Sequence, residues 1–545
     1  MISRRRLITG SAASAALIAL ANACRDGRTL PSTTSSSTPT TVPSTSTTTT
    51  STTLAPRPYT TAGWLAAENA RPGTSAWRIE DRVPKGGDKL RDGWLEGYAD
   101  STSARPGQDV VLRVACDAPS WHVEAYRMGW YGGDMARLVW QSDEIDAQWQ
   151  LTTSADRETK MFRAEWDPSL TIAIDDDWPP GSYLLKLVSS TDRHHYVPLT
   201  VRRDDAVGGL CVVSAVTTWQ AYNPWGGCTL YECFEDSGRS EVVSFDRPYA
   251  RTYNWGSADF LTHELPLISL IEELGLDCTY VTDIDLHTAS SGDTEDSLDR
   301  LLAGRTALLT TGHDEYYSTP MRTTLEEARD RGVNLAFFGA NAVYRHIRLE
   351  PNAEGLPHRQ MPNYRLAGTD PITETEPEQA TVQWRNKPLV RPESELIGVQ
   401  YFAAGVTGTL TIVTPDNWIF EGTGVKRGSK FRRLIDIEVD GLGPESVEPD
   451  SLEVLASSPI AFKDSVYEHA MTYYSTESGA GVFATGTIGW INALDREVWD
   501  DERTTEFVRR STSNVLRAFA TGPAGEPHPS RPNADRYRTV VRAAQ

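Results

Sequence analysis

Two periods of apolar residues divide the chain. From about Tyr59 to Arg203 the apolar positions alternate or run in short stretches, as in Val110-Val111-Leu112-Arg113-Val114, His122-Val123-Glu124-Ala125-Tyr126 and Tyr183-Leu184-Leu185-Lys186-Leu187. Arg105-Pro106-Gly107 and Pro179-Pro180-Gly181 punctuate them as turns, and short strands at this spacing predict an all-β sandwich over 59–205. Gly129-Trp130-Tyr131-Gly132-Gly133 is aromatic and glycine-rich at once, which suits a loop reaching toward a ligand or the next domain, or a packed corner.

From about Gly208 the pattern changes. Leu210-Cys211-Val212-Val213-Ser214-Ala215 reads as a buried strand, Glu264 to Leu274 has helical spacing ending at Gly275, and Cys278-Thr279-Tyr280-Val281 is a second strand. Asp296 to Leu302 is helical and leads through Gly304 into the Ala307-Leu308-Leu309 strand. Ser318-Thr319-Pro320 opens a helix with a cap and a first-turn proline, which Gly332 closes before Val333 to Phe338. Strand, helix, strand at these intervals predicts a doubly wound α/β core over 206–522. Strand signals with few helices give a β-rich insertion over about 362–443, Val482 to Thr487 is one more buried strand, and Thr505 to Thr521 is a closing amphipathic helix. The polar, proline-rich tail 523–545 reads as loosely ordered.

In open α/β sheets ligands gather beyond the carboxyl ends of the strands. Three predicted strands run into polar clusters there: the Val212 strand into Trp219-Gln220-Ala221-Tyr222-Asn223 and Gly226-Gly227-Cys228-Thr229-Leu230-Tyr231, the Leu308 strand into Gly312-His313-Asp314-Glu315-Tyr316-Tyr317, and the Phe337 strand into Gly339-Ala340-Asn341. If the backbone stays extended, His313 and Glu315 face one way and Asp314 the other. Singly, a tyrosine at a strand end is most often a packing aromatic, and Asn341 could simply supply a turn. The set contains no G-x-S-x-G, P-loop, dinucleotide fingerprint or cysteine-rich zinc spacing. Metal-activated water, or an acid/base pair alone, is the chemistry left.

Composition narrows the partners. A net charge of −21 argues against nucleic acid or an anionic membrane surface, both of which need a basic face. Residues 1–24, with Ser3-Arg4-Arg5-Arg6-Leu7-Ile8 ahead of an Ala/Leu-rich run, read as a twin-arginine export signal. Cys24 is a candidate lipoprotein cysteine, although Asn22 fits a lipobox poorly. Residues 25–58 are mostly Ser, Thr and Pro and form a disordered tether. The expected location is therefore extracellular or attached to the cell envelope, with contact to a membrane only through Cys24. In an exported chain Cys228 and Cys233 are close enough to pair, while Cys211 and Cys278 sit in apolar strands as reduced core thiols.

Several motifs in order carry a family resemblance. Trp219-Gln220-Ala221-Tyr222-Asn223 with Trp225-Gly226-Gly227, Ser244-Phe245-Asp246-Arg247-Pro248-Tyr249, Gly312-His313-Asp314-Glu315-Tyr316 and Asn334 to Asn341 resemble the large (beta) subunit of N,N-dimethylformamidase, from about Val207 to the final helix. The resemblance implies a class I glutamine-amidotransferase-like core without that family's cysteine, and a mononuclear, ferric iron held by two tyrosines and a glutamate. Carried over, Glu315 and Tyr222 match iron ligands, and the second tyrosine is Tyr231 or its rival Tyr249. His313 and Asn341 match catalytic positions beside the metal, and Glu438 in Ile437-Glu438-Val439-Asp440 is an acid/base glutamate. The implied activity is hydrolysis of a linear amide C–N bond in a small or extracellular substrate, with an oligomer left open. Two other readings stand beside it: an envelope-displayed binding protein whose sandwich recognises glycan or peptide over a silent core, and a C–N hydrolase of cell-wall material using another metal.

Overall fold

The computed structural model describes residues 59–80, 94–150, 153–234, 237–292, 296–443, 446–538 and 542–543. The expected export signal, Cys24 and the tether lie outside the described residues.

The N-terminal part is built from two antiparallel-rich sheets. One contains Leu95–Ala99, Asp109–Cys116 and Leu170–Ala173, and the other is centred on Ser120–Met128, Gly181–Ser189 and His194–Val201. Alternate residues of both sheets meet in one apolar cluster that includes Leu95, Leu112, Trp121, Val123, Leu185 and Val201. That is the inward face expected from a period of two.

The second part is organised on one large sheet. Its elements are β1 (Leu210–Ser214), α1 (Val216–Tyr222), α2 (Leu265–Glu273), β2 (Cys278–Thr282), α3 (Asp283–Ser291), β3 (Ala307–Thr310), α4 (Thr319–Asp330), β4 (Asn334–Phe337), β5 (Gln400–Thr411), β6 (Lys430–Leu442), β7 (Glu453–Phe462), β8 (Ser465–Ser475), β9 (Gly481–Ala484) and α5 (Glu502–Phe519). The spatial order is β2-β1-β3-β4-β9-β8-β6-β5, with β7 paired to β8. From β2 to β9 the neighbours run parallel; from β9 onward they run antiparallel.

Both faces of the parallel half are covered, so its strands are apolar throughout. Leu210 and Val212 join α2 and α5 on one side, and Cys211 and Val213 join α3 and α4 on the other. The helix ends follow the local chemistry. Thr282 caps α3 in a reciprocal box with Asp285, and the Ser318 hydroxyl accepts from the Met321 N–H to open α4.

The β-rich insertion expected over 362–443 contributes β5 and β6, which extend the same sheet through β8. Two features differ from the sequence expectation. The chain after β1 turns at once into the helix α1, so Tyr222 stands at a helix end rather than a strand end. The tail is packed through residue 538: Ala524 is buried, its N–H donates to Asn334 Oδ1, and the Tyr473 hydroxyl donates to the His528 carbonyl. Backbone groups of a polar tail are satisfied there by buried side chains, which apolar periodicity does not report.

The two parts are joined by a buried ion pair. The Arg127 guanidinium donates twice to the Glu272 carboxylate at 2.8 and 3.1 Å, linking the sandwich to α2. The glycine-rich Trp130 corner also meets α2, its N–H donating to Glu272 Oε2 at 3.3 Å.

Candidate functional site

The order of the parallel strands reverses between β1 and β3, and the chain leaving these two strands builds one cleft. Tyr222 ends α1, directly after β1. Tyr231 follows in a tight loop that the Cys228–Cys233 disulfide closes and that Leu230 anchors, with its N–H on the Ala221 carbonyl. The two phenol rings stack at 4.5 Å between centroids.

Glu315 comes from the segment after β3. Its backbone N–H donates to the Thr218 hydroxyl of α1 at 2.9 Å, which fixes the carboxylate against the two phenols. The Tyr222 hydroxyl donates to Glu315 Oε2 at 2.8 Å, the Tyr231 hydroxyl lies 2.7 Å from both carboxylate oxygens, and the phenol oxygens are 2.8 Å apart. Tyr316 adds a third phenol hydroxyl, 3.0 Å from that of Tyr231. Thus oxygens from three chain segments converge on one point, with Glu315 only 1% exposed.

The proton-handling groups stand beside them. His313 Nε2 is 3.3 Å from Glu438 Oε2 and 3.7 Å from Glu315 Oε2, and its Nδ1 is 3.9 Å from Asp259 Oδ2. Asp314 points away and accepts from the Tyr317 hydroxyl. Glu438 lies within β6, where the pairing with β5 slips between Ala404 and Val406 and Ile437 takes a φ of +68°. The extra residue of the slip is Gly405 on β5, while Glu438 pairs with Ala404 and its carboxylate reaches His313. Asn341 follows β4 in a left-handed conformation, φ +60°, with its N–H on Asp440 Oδ1. Its side-chain oxygen is buried without a hydrogen-bond partner. Gly339 lets the ends of β3 and β4 touch, because a Cβ there would lie 1.8 Å from the Gly312 carbonyl oxygen.

Burial sets the protonation pattern. Burial, reinforced by Glu315, raises both Tyr222 and Tyr231 well above the usual phenol range. Burial alone would lower His313, but Glu438, Asp259 and Glu315 outweigh it and hold the imidazole well above its ordinary value.

Of the residues singled out from sequence, Tyr222, Tyr231, Glu315, His313 and Glu438 meet in this cleft. Tyr249 does not: its ring packs edge-on against Trp219, and its carbonyl accepts from His195 Nε2 of the sandwich at 3.0 Å. The structure adds Asp259, Tyr316, Arg345 and Arg365. Tyr316 sits in the quoted motif and could have been noticed there, whereas Asp259 and Arg365 lie in irregular segments and Arg345 in a strand of two residues, none with a periodic signal. Arg345 Nε is 3.5 Å from Glu315 Oε1, and the Arg365 guanidinium lies over the Tyr231 ring at 4.4 Å.

Among the described residues no group of three or more His, Cys, Asp and Glu side chains is arranged to hold a metal. A metal in this cleft would therefore need the phenols. Two phenol oxygens and one carboxylate, mutually within 2.8 Å, are hard donors that suit a hard trivalent cation.

A family model described as N,N-dimethylformamidase beta subunit-like, C-terminal, matches residues 122–504. The match begins inside the sandwich rather than at the α/β core and ends within α5. No curated protein matches the chain. Among solved structures, a chain from a study of T cell specificity and activation by the bacterial superantigen toxic shock syndrome toxin-1 is 16% identical over 20% of this chain and 99% of its own, at a TM-score of 0.12. A Paenibacillus sp. cycloisomaltooligosaccharide glucanotransferase complexed with cycloisomaltoheptaose is 8% identical over 48% of this chain and 45% of its own, at a TM-score of 0.15. At such scores neither likeness bears on the argument.

Proposed function

The chain belongs to the N,N-dimethylformamidase beta subunit-like family, and from that premise we propose that it is an amidohydrolase whose cleft binds one iron, ferric in its resting form, through Tyr222, Tyr231 and Glu315. The observation that carries this reading is the convergence of those three side chains within 2.8 Å of one another, with the His313–Glu438 pair 3.7 Å from the shared carboxylate. When bound, the iron supplies positive charge that polarises an amide carbonyl and makes water more acidic. Its presence would also hold the two phenols ionised, which burial otherwise opposes.

The remaining work falls to the protein. Glu438 and His313, 3.3 Å apart, share a proton: the pair accepts one from the attacking water as the carbon–oxygen bond forms. The same proton passes to the amide nitrogen as the carbon–nitrogen bond breaks, releasing a carboxylic acid and an amine. The Asn341 side-chain amide N–H would donate to the developing oxyanion. Asp259 steadies the far side of the imidazole. Export by the twin-arginine route would place this activity outside the cytoplasm.

Replacing Glu315 by Gln tests the ligand set. The expected result is loss of iron and of amide hydrolysis together. Full iron occupancy in Glu315→Gln would contradict the assignment.

A further inference from the structure

The cleft has two walls of opposite charge, and their arginines are not alike. Arg239 spends its guanidinium on the carbonyls of Ser240, Asn363 and Tyr364, and Arg385 pairs with Glu393 and the Tyr401 carbonyl. Arg345 has no such set. Its side chain is 12% exposed, its Nε is buried without a hydrogen-bond partner, and among the described residues its single ion-pair partner is Glu315, at 3.5 Å. That carboxylate also accepts from the Tyr222 and Tyr231 hydroxyls, so its oxygens are shared between them and the guanidinium.

Arg365 repeats the pattern more weakly. One of its terminal nitrogens donates to the Leu230 carbonyl at 2.6 Å, its plane covers Tyr231, and its Nε is buried without a partner. It also adopts a φ of +69°, a left-handed backbone that a non-glycine residue holds only when its surroundings enforce it. Across the cleft stand Glu438 and Asp259 with His313. Glu315 lies between the walls, Oε1 toward Arg345 and Oε2 toward His313. Arg345 also lies over the Tyr344 ring at 4.7 Å, but its Nε has no hydrogen-bond partner, and the planar geometry of a carboxylate matches a guanidinium fork.

We infer that Arg345, assisted by Arg365, is an anion-recognising wall of this cleft, and that the preferred substrates are amides carrying a carboxylate close to the scissile bond. This rests on the amidohydrolase reading and narrows it. The carboxylate faces Arg345, and the leaving nitrogen faces Glu438. Small neutral formamides are then the poorer class despite the family's name.

The test is calorimetric binding of two probes to the full-length protein: N-formylglycine, and N-propylformamide as a neutral counterpart of similar size. The wild type is expected to bind N-formylglycine at least about tenfold more tightly, an advantage that shrinks at high salt. Arg345→Gln should remove the advantage and Arg345→Lys should restore part of it. Arg365→Gln, which does not touch Glu315, should reduce the advantage by a smaller factor. Equal affinities in the wild type, or equal weakening of both probes in Arg345→Gln, would overturn the inference, the second result showing a merely structural role. Hydrolysis measured alongside separates the two readings. A charged-probe preference without turnover of either amide would remove the hydrolase reading and leave the anion wall, whereas equal turnover of both without preference would do the reverse.

Discussion

The wall that carries the phenols and the wall that handles protons are supported in different ways. His313 and Glu438 are held by the central sheet itself, one just past the end of β3 and the other in β6, opposite a bulge in β5. Tyr222 and Tyr231 flank a segment that the sandwich pins from outside. The Trp225 indole N–H donates to Glu96 of the sandwich at 3.0 Å, and Gly226, at φ +84°, lies so close to Phe162 that a Cβ would approach within 2.6 Å. The lesson is that the sandwich is part of the site's scaffold. A freely displayed recognition module would not be expected to reach the loop between the two tyrosines.

Changes on the two walls should therefore have different consequences. The largest expected effect short of losing Glu315 is on the proton-handling wall: Glu438→Gln should lower kcat by about 10²–10⁴, the range of general acid–base catalysis, with iron content unchanged. Iron analysis beside steady-state kinetics checks this, and parallel loss of metal would move Glu438 into the ligand set. A smaller effect is expected on the phenol wall. Replacing Cys228 and Cys233 together by Ser opens the loop around Tyr231 and should cost about 2 kcal/mol of stability, the loop-entropy value for so short a ring. Chelator competition should show weaker iron retention in that variant, while the Glu438→Gln protein retains iron normally.

The smallest effect is a pH slope. Burial raises Glu96 to about 7, opposed by the Trp225 hydrogen bond and by Arg251. Because the folded value lies above the unfolded one, this contribution to stability is fully present below about pH 4.5 and is lost as pH rises through about 7. Glu96→Gln keeps an acceptor for the indole but cannot ionise. Its denaturation midpoint should fall less than the wild type's between about pH 5 and pH 8. Identical slopes would show that Glu96 does not titrate on unfolding.

Much of the scaffold was legible from local pattern. The β1, β2, β3, β4 and β9 strands coincide with short apolar runs, and the Ser318 cap with Pro320 marks the start of α4. The convergence of Tyr222, Tyr231, His313 and Glu315 was readable because each follows closely on β1 or β3. Glu438 was reachable only through the family resemblance, since a bulge in a long antiparallel strand leaves no clear period. Tyr249 competed with Tyr231 because both lie in aromatic loops; in space the Tyr231 hydroxyl meets Glu315, whereas the Tyr249 ring packs against Trp219. Asp259 precedes a widened helical turn, Phe260–Glu264, and Arg345 lies in a strand of two residues, so neither could be placed by periodicity.

The central claim is that two phenols and one carboxylate hold iron in this cleft. Elemental analysis with a visible spectrum, on protein prepared without chelator, tests it most directly. About one iron per chain is expected, with a phenolate-to-iron charge-transfer band that shifts or disappears in Tyr222→Phe and Tyr231→Phe and persists in Tyr249→Phe. A colourless, iron-free protein under those conditions, or a band unchanged by Tyr222→Phe and Tyr231→Phe, would contradict the account.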